Sequence, residues 1–239
     1  MTLNQGIARV TMALAACLIL SPAHAFNLNK SISVDDGAQS DGESTVNGSI
    51  SVGSDAVVTG SLDTVNGTIR IDNNATIEDA QTVNGSLRVS AGVKATGLSS
   101  VNGAIRVGEK CTVDGEVTVV NGQITLDRGT DVADVVSNVN GEIRVEGAII
   151  GGDLSTVNGD VSLLSNSRLK GDLIVEEPSG WGNRNRRKPR IVIGEESSVE
   201  GTIHLEREVE LYISDSAEVG GVSGVMSFDD AVRFSGDRP

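Results

Sequence analysis

Aromatic side chains make up only 2% of this 239-residue chain, and that scarcity constrains any fold it can adopt. A globular core usually takes its bulk from Phe, Tyr and Trp. Here Val, Ile and Leu, with 29 glycines, must fill the interior, as thin stacked layers require. Histidine and cysteine are nearly as rare, with two of each. His24 and Cys17 lie in the first 25 residues. Only His204 and Cys111 remain beyond them, so His-based metal sites, catalytic triads and an intramolecular disulfide have little material. Positive charge is short as well: 19 Lys and Arg face 33 Asp and Glu, a formal charge of -14. That balance disfavours non-specific binding to nucleic acid or to an anionic membrane. Long apolar runs are missing too. The run from Val10 to Leu20 is too short to cross a bilayer as a helix, and no later segment approaches the roughly 20 residues required.

The first 25 residues read as an export signal. Arg9 precedes the apolar run, Ser21-Pro22 breaks it, and Ala23-His24-Ala25 supplies an A-x-A cleavage pattern. The expected mature chain begins at Phe26 and is periplasmic or cell-surface. In the alternative reading, Leu14-Ala15-Ala16-Cys17 is a lipobox and Cys17 a lipidated anchor. Cys111 falls in a column of small, mostly apolar residues, Ala56, Ala75, Val93, Thr130, Ile149 and Ser167, and is expected as a buried packing thiol.

What the chain has in abundance is one motif. Val-Asn-Gly recurs with its asparagine at Asn47, Asn66, Asn84, Asn102, Asn121, Asn140 and Asn158, spaced 19, 18, 18, 19, 19 and 18 residues apart. The third residue after each asparagine is Ile50, Ile69, Leu87, Ile105, Ile124, Ile143 or Val161, and the fifth is again aliphatic. Counting by twos from the valine gives an expected inward face of Val, Gly, Ile, Val. A second strand follows in each repeat, with inward candidates such as Ala56, Val58 and Leu62. Asn-Gly is also a hairpin signal. An antiparallel meander, however, has no need of one side-chain type at one position seven times over. Stacked coils do, because like residues superimpose at about 4.8 Å.

The expected fold is therefore all-β, a single-stranded parallel β-helix with 18–19-residue coils, the asparagines forming a ladder at one corner. Eighteen residues also suit a triangular coil of three six-residue faces, since Val65, Ile71, Ile77 and Val83 follow sixes. Handedness stays open. Residues 26–44 read as an N-terminal cap or degenerate coil, and 45–221 as the solenoid. Residues 176–190 form a loop extruded from one coil, and 222–239 a C-terminal cap anchored by Phe228 and Phe234.

The recurring V-N-G-x-I-x-V, with Gly171-Asp172-Leu173 and the run IVIGEESSVEGTI at 191–203, resembles the bacterial V-N-G-repeat β-solenoid proteins classed as adhesins. It is similar, more distantly, to bactofilin-like polymer-forming proteins. The second resemblance implies self-association through the solenoid ends, although those relatives are typically cytoplasmic and this chain carries an export signal. Neither implies catalytic residues.

Two features carry more than the repeat needs. The fourth position after the asparagine faces outward and holds Arg70, Arg88, Arg106 and Arg144, where stacked like charges call for a neutralising partner. Either an anionic glycan or nearby acids such as Asp72, Glu142 and Glu146 can serve. The loop adds Trp181, Arg184, Arg186, Arg187, Lys188 and Arg190, able to stack on a sugar and to pair with uronate or phosphate, or else to pair with the acidic body. No cofactor is expected. The leading expectation is an exported, non-enzymatic structural or adhesion scaffold of the cell envelope, and the alternative is a binding module for anionic glycan.

Overall fold

A computed structural model describes residues 26–178 and 187–239. The expected export signal, and the part of the loop that carries Trp181, Arg184 and Arg186, lie outside the described residues. The chain winds as a parallel β-solenoid. One coil shows the pattern: Asp79–Asn84 lies on a first face, Leu87–Val89 on a second and Lys94–Ala95 on a third, after which Gly97–Asn102 returns to the first. The coil is thus three-sided, as the reading in sixes suggested. The second face carries eleven strands from Ile32–Val34 to Val232–Phe234 in strict coil order. Each pairs in parallel with the strand one coil away, as in Leu87↔Ile105, and the first face does the same, as in Leu98↔Val117.

Register converts the repeat into columns. Ile50, Ile69, Leu87, Ile105, Ile124, Ile143, Val161, Ile191 and Leu211 lie one above another and are all buried. Burying each such side chain contributes about 1.5–3 kcal/mol relative to exposure. A second column runs from Val34 through Val52, Ile71, Val89, Val107, Leu126, Val145, Leu163 and Ile193 to Ile213. Each layer is only one coil thick, which explains how so few aromatics suffice.

In six of its seven occurrences the valine of the motif does not belong to that interior; Val157, 4% exposed, is the exception. Val46, Val65, Val83, Val101, Val120 and Val139 are only half-buried, whereas the residue before each, such as Thr45, Thr64, Thr82, Ser100 and Val119, is fully buried. Alternation holds within a strand but is reset where the chain bends, so counting by twos across the Asn-Gly corner assigned valine the wrong side. The buried hydroxyls tie the coils together instead. Thr64 donates to the carbonyl of Gly48 at 2.9 Å, and Thr45, Thr82 and Ser100 donate likewise to Lys30, Gly67 and Gly85.

The motif's glycine answers to close approach. A Cβ on Gly67, Gly85, Gly103, Gly122, Gly141 or Gly159 would overlap the carbonyl of the motif glycine one coil below. Of these, only Gly141 has a positive φ, 126°. Cys111 is buried as expected, donating to the Ser90 carbonyl at 3.0 Å, with its thiol pKa raised by burial. In the following coil but one, Ala148 rather than Ile149 takes that column, because Gly147 turns the corner one residue early at φ 59°.

Residues 26–44 form a coil, pairing through Phe26–Asn27, Ile32–Val34 and Gln39–Ser40 with the coil above. The segment expected to fold over the last coil as a C-terminal cap adds a further turn instead. Glu218–Gly224 and Val232–Phe234 pair in parallel with the coil before, and Phe228 stays 45% exposed. The final residues then run back along the flank. The Asp237 carboxylate accepts from the Ser165 backbone N–H at 2.8 Å, and Arg238 reaches Glu146.

Candidate functional site: an asparagine ladder and an arginine row

The asparagine corner is a continuous chain of side-chain amides. Each Nδ2 donates to the Oδ1 of the coil below, from Asn158 through Asn140, Asn121, Asn102, Asn84 and Asn66 to Asn47, at 2.8–3.0 Å. Two members escaped the motif search. Asn47 donates to Asn29 at 2.8 Å, so the ladder has an eighth rung. Its signal was present, because Asn29-Lys30-Ser31-Ile32-Ser33-Val34 repeats Asn47-Gly48-Ser49-Ile50-Ser51-Val52 with one change. Lysine is admissible at that change because, among the described residues, no coil lies beneath Lys30 for its Cβ to strike.

At the other end the Arg207 guanidinium donates to Asn158 Oδ1 at 3.1 Å and to the Val157 carbonyl at 3.3 Å. The next coil leaves the corner there to make the loop, and Arg207 reaches across that coil to cap the ladder's last acceptor. No local sequence pattern announces this contact. The ladder is exposed along its length but its hydrogen bonds are spent on itself, so it serves the stack and offers little to a ligand.

The loop's described cations are also committed. Arg187 pairs with Asp160 at 2.7 Å, Lys188 pairs with Glu208 at 2.7 Å, and Arg190 lies 4.9 Å above the Tyr212 ring. Asp160 also accepts the Arg190 backbone N–H at 2.9 Å, so one carboxylate fastens the returning end of the loop.

The arginine row has a different character. Arg70, Arg88 and Arg106 stand in register on three neighbouring strands, all exposed. Arg106 pairs with Asp127 at 3.5 Å, and Arg144, two coils further on, pairs with Glu146. Arg70 and Arg88 form no ion pair among the described residues, and Asp72, expected to neutralise Arg70, does not reach it. Beside them on the same face lie Thr68, Ser86 and Ala104 on one side, and Asp72, Ser90 and Gly108 on the other. Glu142, by contrast, accepts from Gln123 at 3.2 Å. The row is therefore cationic and open over Arg70 and Arg88, and acid-flanked towards Arg144.

Acidic groups gather on the first face. Burial raises the pKa of Asp79, reinforced by Glu78 and Asp63; burial also raises that of Glu116, reinforced by Asp134 and Asp79. Glu176 is shifted upward for the same leading reason, with Glu206 beside it. Among the described residues no group of three or more His, Cys, Asp or Glu is placed to hold a metal ion, and no helix is long and apolar enough to cross a membrane. His204 shares a hydrogen bond with Ser223 at 2.9 Å. No family model, curated protein or solved structure matches the chain.

Proposed function

We propose that this chain is an exported, non-enzymatic structural or adhesion scaffold of the bacterial cell envelope, a stiff rod that associates through its ends. The observation that carries the reading is where apolar surface is left. Among the described residues the exposed large hydrophobics are Leu28 at 62%, Val225 at 59%, Phe228 at 45% and Val232 at 54%. Leu28 belongs to the first coil and the other three to the last turn, while the flank of the rod is polar. A stack of parallel strands also ends in open backbone edges, which are ready templates for pairing. The resemblance to adhesin-class and polymer-forming solenoids points the same way.

Both ends also carry a brake on simple continuation of the coil. Lys30 stands where the next seven coils, from Gly48 to Gly159, carry glycine. At the opposite end Arg233 takes the register position that follows the buried Ile193 and Ile213, held by Asp215 at 3.5 Å and stacked 5.6 Å over Phe228. An inward-register charge on an edge strand opposes strand addition, so association is weak and adjustable. Light scattering across a concentration series tests the reading. Wild-type protein is expected to show reversible oligomers, strengthened by Arg233→Val and weakened by Phe228→Ser. A strict monomer at high concentration for both wild type and Arg233→Val would rule the proposal out.

A further inference from the structure

The arginine row offers a binding function that does not depend on how the ends behave. Eight of the eleven described arginines are engaged: Arg106, Arg144, Arg168, Arg187, Arg233 and Arg238 by carboxylates, Arg190 by a ring and Arg207 by carbonyl oxygens; Arg128, in a turn, and the adjacent pair Arg70 and Arg88 are not. In a protein with fourteen negative charges in excess, two adjacent exposed arginines without a carboxylate partner are available to an outside anion. Their backbones are in register one strand spacing apart, about 4.8 Å, so their like charges repel each other. Removing either charge would relieve the repulsion, and the fold does not require arginine there. The same position is serine at Ser51 and Ser162 and threonine at Thr125, in strands paired in the same register.

We infer that Arg70 and Arg88 form a binding site for a linear carboxylated polysaccharide lying parallel to the solenoid axis, bounded at Arg106, which Asp127 occupies. The chemistry of the face selects this ligand class. A guanidinium matches a carboxylate bidentately, and a chain with one carboxylate per sugar presents its charges at a spacing close to that of the strands. The flanking Thr68, Ser86 and Ser90 supply hydroxyls to meet sugar hydroxyls, and the short side chains leave the guanidinium groups accessible. Nucleic acid fits less well. The described face has no exposed aromatic beside the arginines on which a base could stack, and the surrounding negative charge repels a densely charged polymer. The site ends where acids begin: Asp127 already occupies Arg106, and Glu146 occupies Arg144.

The test is binding of the full chain to fluorescein-labelled oligogalacturonate at low ionic strength, read by fluorescence anisotropy. Arg70→Ser and Arg88→Ser copy residues that other coils carry, so the fold is expected to persist, and circular dichroism checks this. Saturable, salt-sensitive binding is expected, weakened about tenfold or more in the double variant. The control is Lys94→Thr, which removes an exposed charge from the third face and copies Thr112 of the paired strand, and is expected to change affinity by less than about twofold. Absence of saturable binding by the wild type would overturn the proposal, as would equal affinity in the double variant. Binding of a single-stranded oligonucleotide, or of a neutral glucan, as tight as that of oligogalacturonate would overturn the assignment to carboxylated polysaccharide.

Discussion

Placing one methyl group at the asparagine corner, by Gly85→Ala, tests why the motif contains glycine. The Cβ would overlap the Gly67 carbonyl oxygen and sit 2.7 Å from its carbon and 2.9 Å from Thr82 Oγ1. Neither neighbour can turn aside, because the first two atoms are backbone and the hydroxyl is held inside the coil. Relief requires the two coils to part at that corner. Three hydrogen bonds span the gap: Gly67 N–H to the Asn84 carbonyl at 3.2 Å, Asn84 to Asn66 at 3.0 Å, and Thr82 to the Gly67 carbonyl at 3.3 Å. At about 0.5–1.5 kcal/mol each, their loss costs roughly 2–4 kcal/mol. Gly221 supplies the control. Its φ is not positive, and the nearest atoms to an added methyl lie at 3.9 Å, so Gly221→Ala is expected to shift stability by less than about 1 kcal/mol in either direction. Urea unfolding followed by far-ultraviolet circular dichroism measures both. Amide hydrogen exchange at Gly67 and Ile69, whose N–H groups donate to the Asn84 and Ser86 carbonyls across that gap, reports whether the corner opens locally. If Gly85→Ala and Gly221→Ala unfold at the same urea concentration, close backbone approach is not the reason for the glycine.

Asn138 interrupts the buried hydroxyl column. Its Nδ2 has no partner although the residue is 3% exposed. Asn138→Thr removes that orphaned donor but also the acceptor of the buried Thr156 hydroxyl, which meets Asn138 Oδ1 at 2.6 Å, so the two effects offset and the urea midpoint is expected to move by the equivalent of less than about 1 kcal/mol. Asp79 and Glu116 hold their protons to higher pH in the fold than in the unfolded chain. Stability from these groups therefore rises as pH falls through their raised folded-state values, and levels off below the unfolded carboxyl range near 4. Asp79→Asn with Glu116→Gln is expected to stabilise the protein at neutral pH and to flatten that rise in a series of urea midpoints. A thiol with its pKa raised by burial reacts slowly. Cys111 is accordingly expected to resist a disulfide-exchange reagent in native buffer and to react fully in denaturant, and rapid native labelling would contradict its burial.

Much of the fold could be read before any coordinate was known. The 18–19-residue spacing of Asn47 to Asn158 demanded superposition, and the aliphatic residues three and five places after each asparagine are the two buried columns found. Errors gathered at bends. Val46 and its equivalents were assigned to the interior by a periodicity that the corner resets, and Ile149 was placed in a column that Ala148 occupies. Asn29 could have been found by relaxing the glycine requirement. Arg207 could not, because it reaches Asn158 across forty-nine positions of sequence and past an inserted loop.

The same division holds for the site residues. Alignment on the period was enough to place Arg70, Arg88 and Arg106 in one outward column. Which of those charges are neutralised was not contained in it. Asp72 lies two residues from Arg70 and does not pair, whereas Asp127 lies one coil away from Arg106 and does. Repetition determined the stacked architecture because every coil must present the same residue to the next at the same height. The state of each charge, the cap on the ladder and the apolar ends were decided only by the tertiary structure, since they depend on distances between side chains that no period encodes.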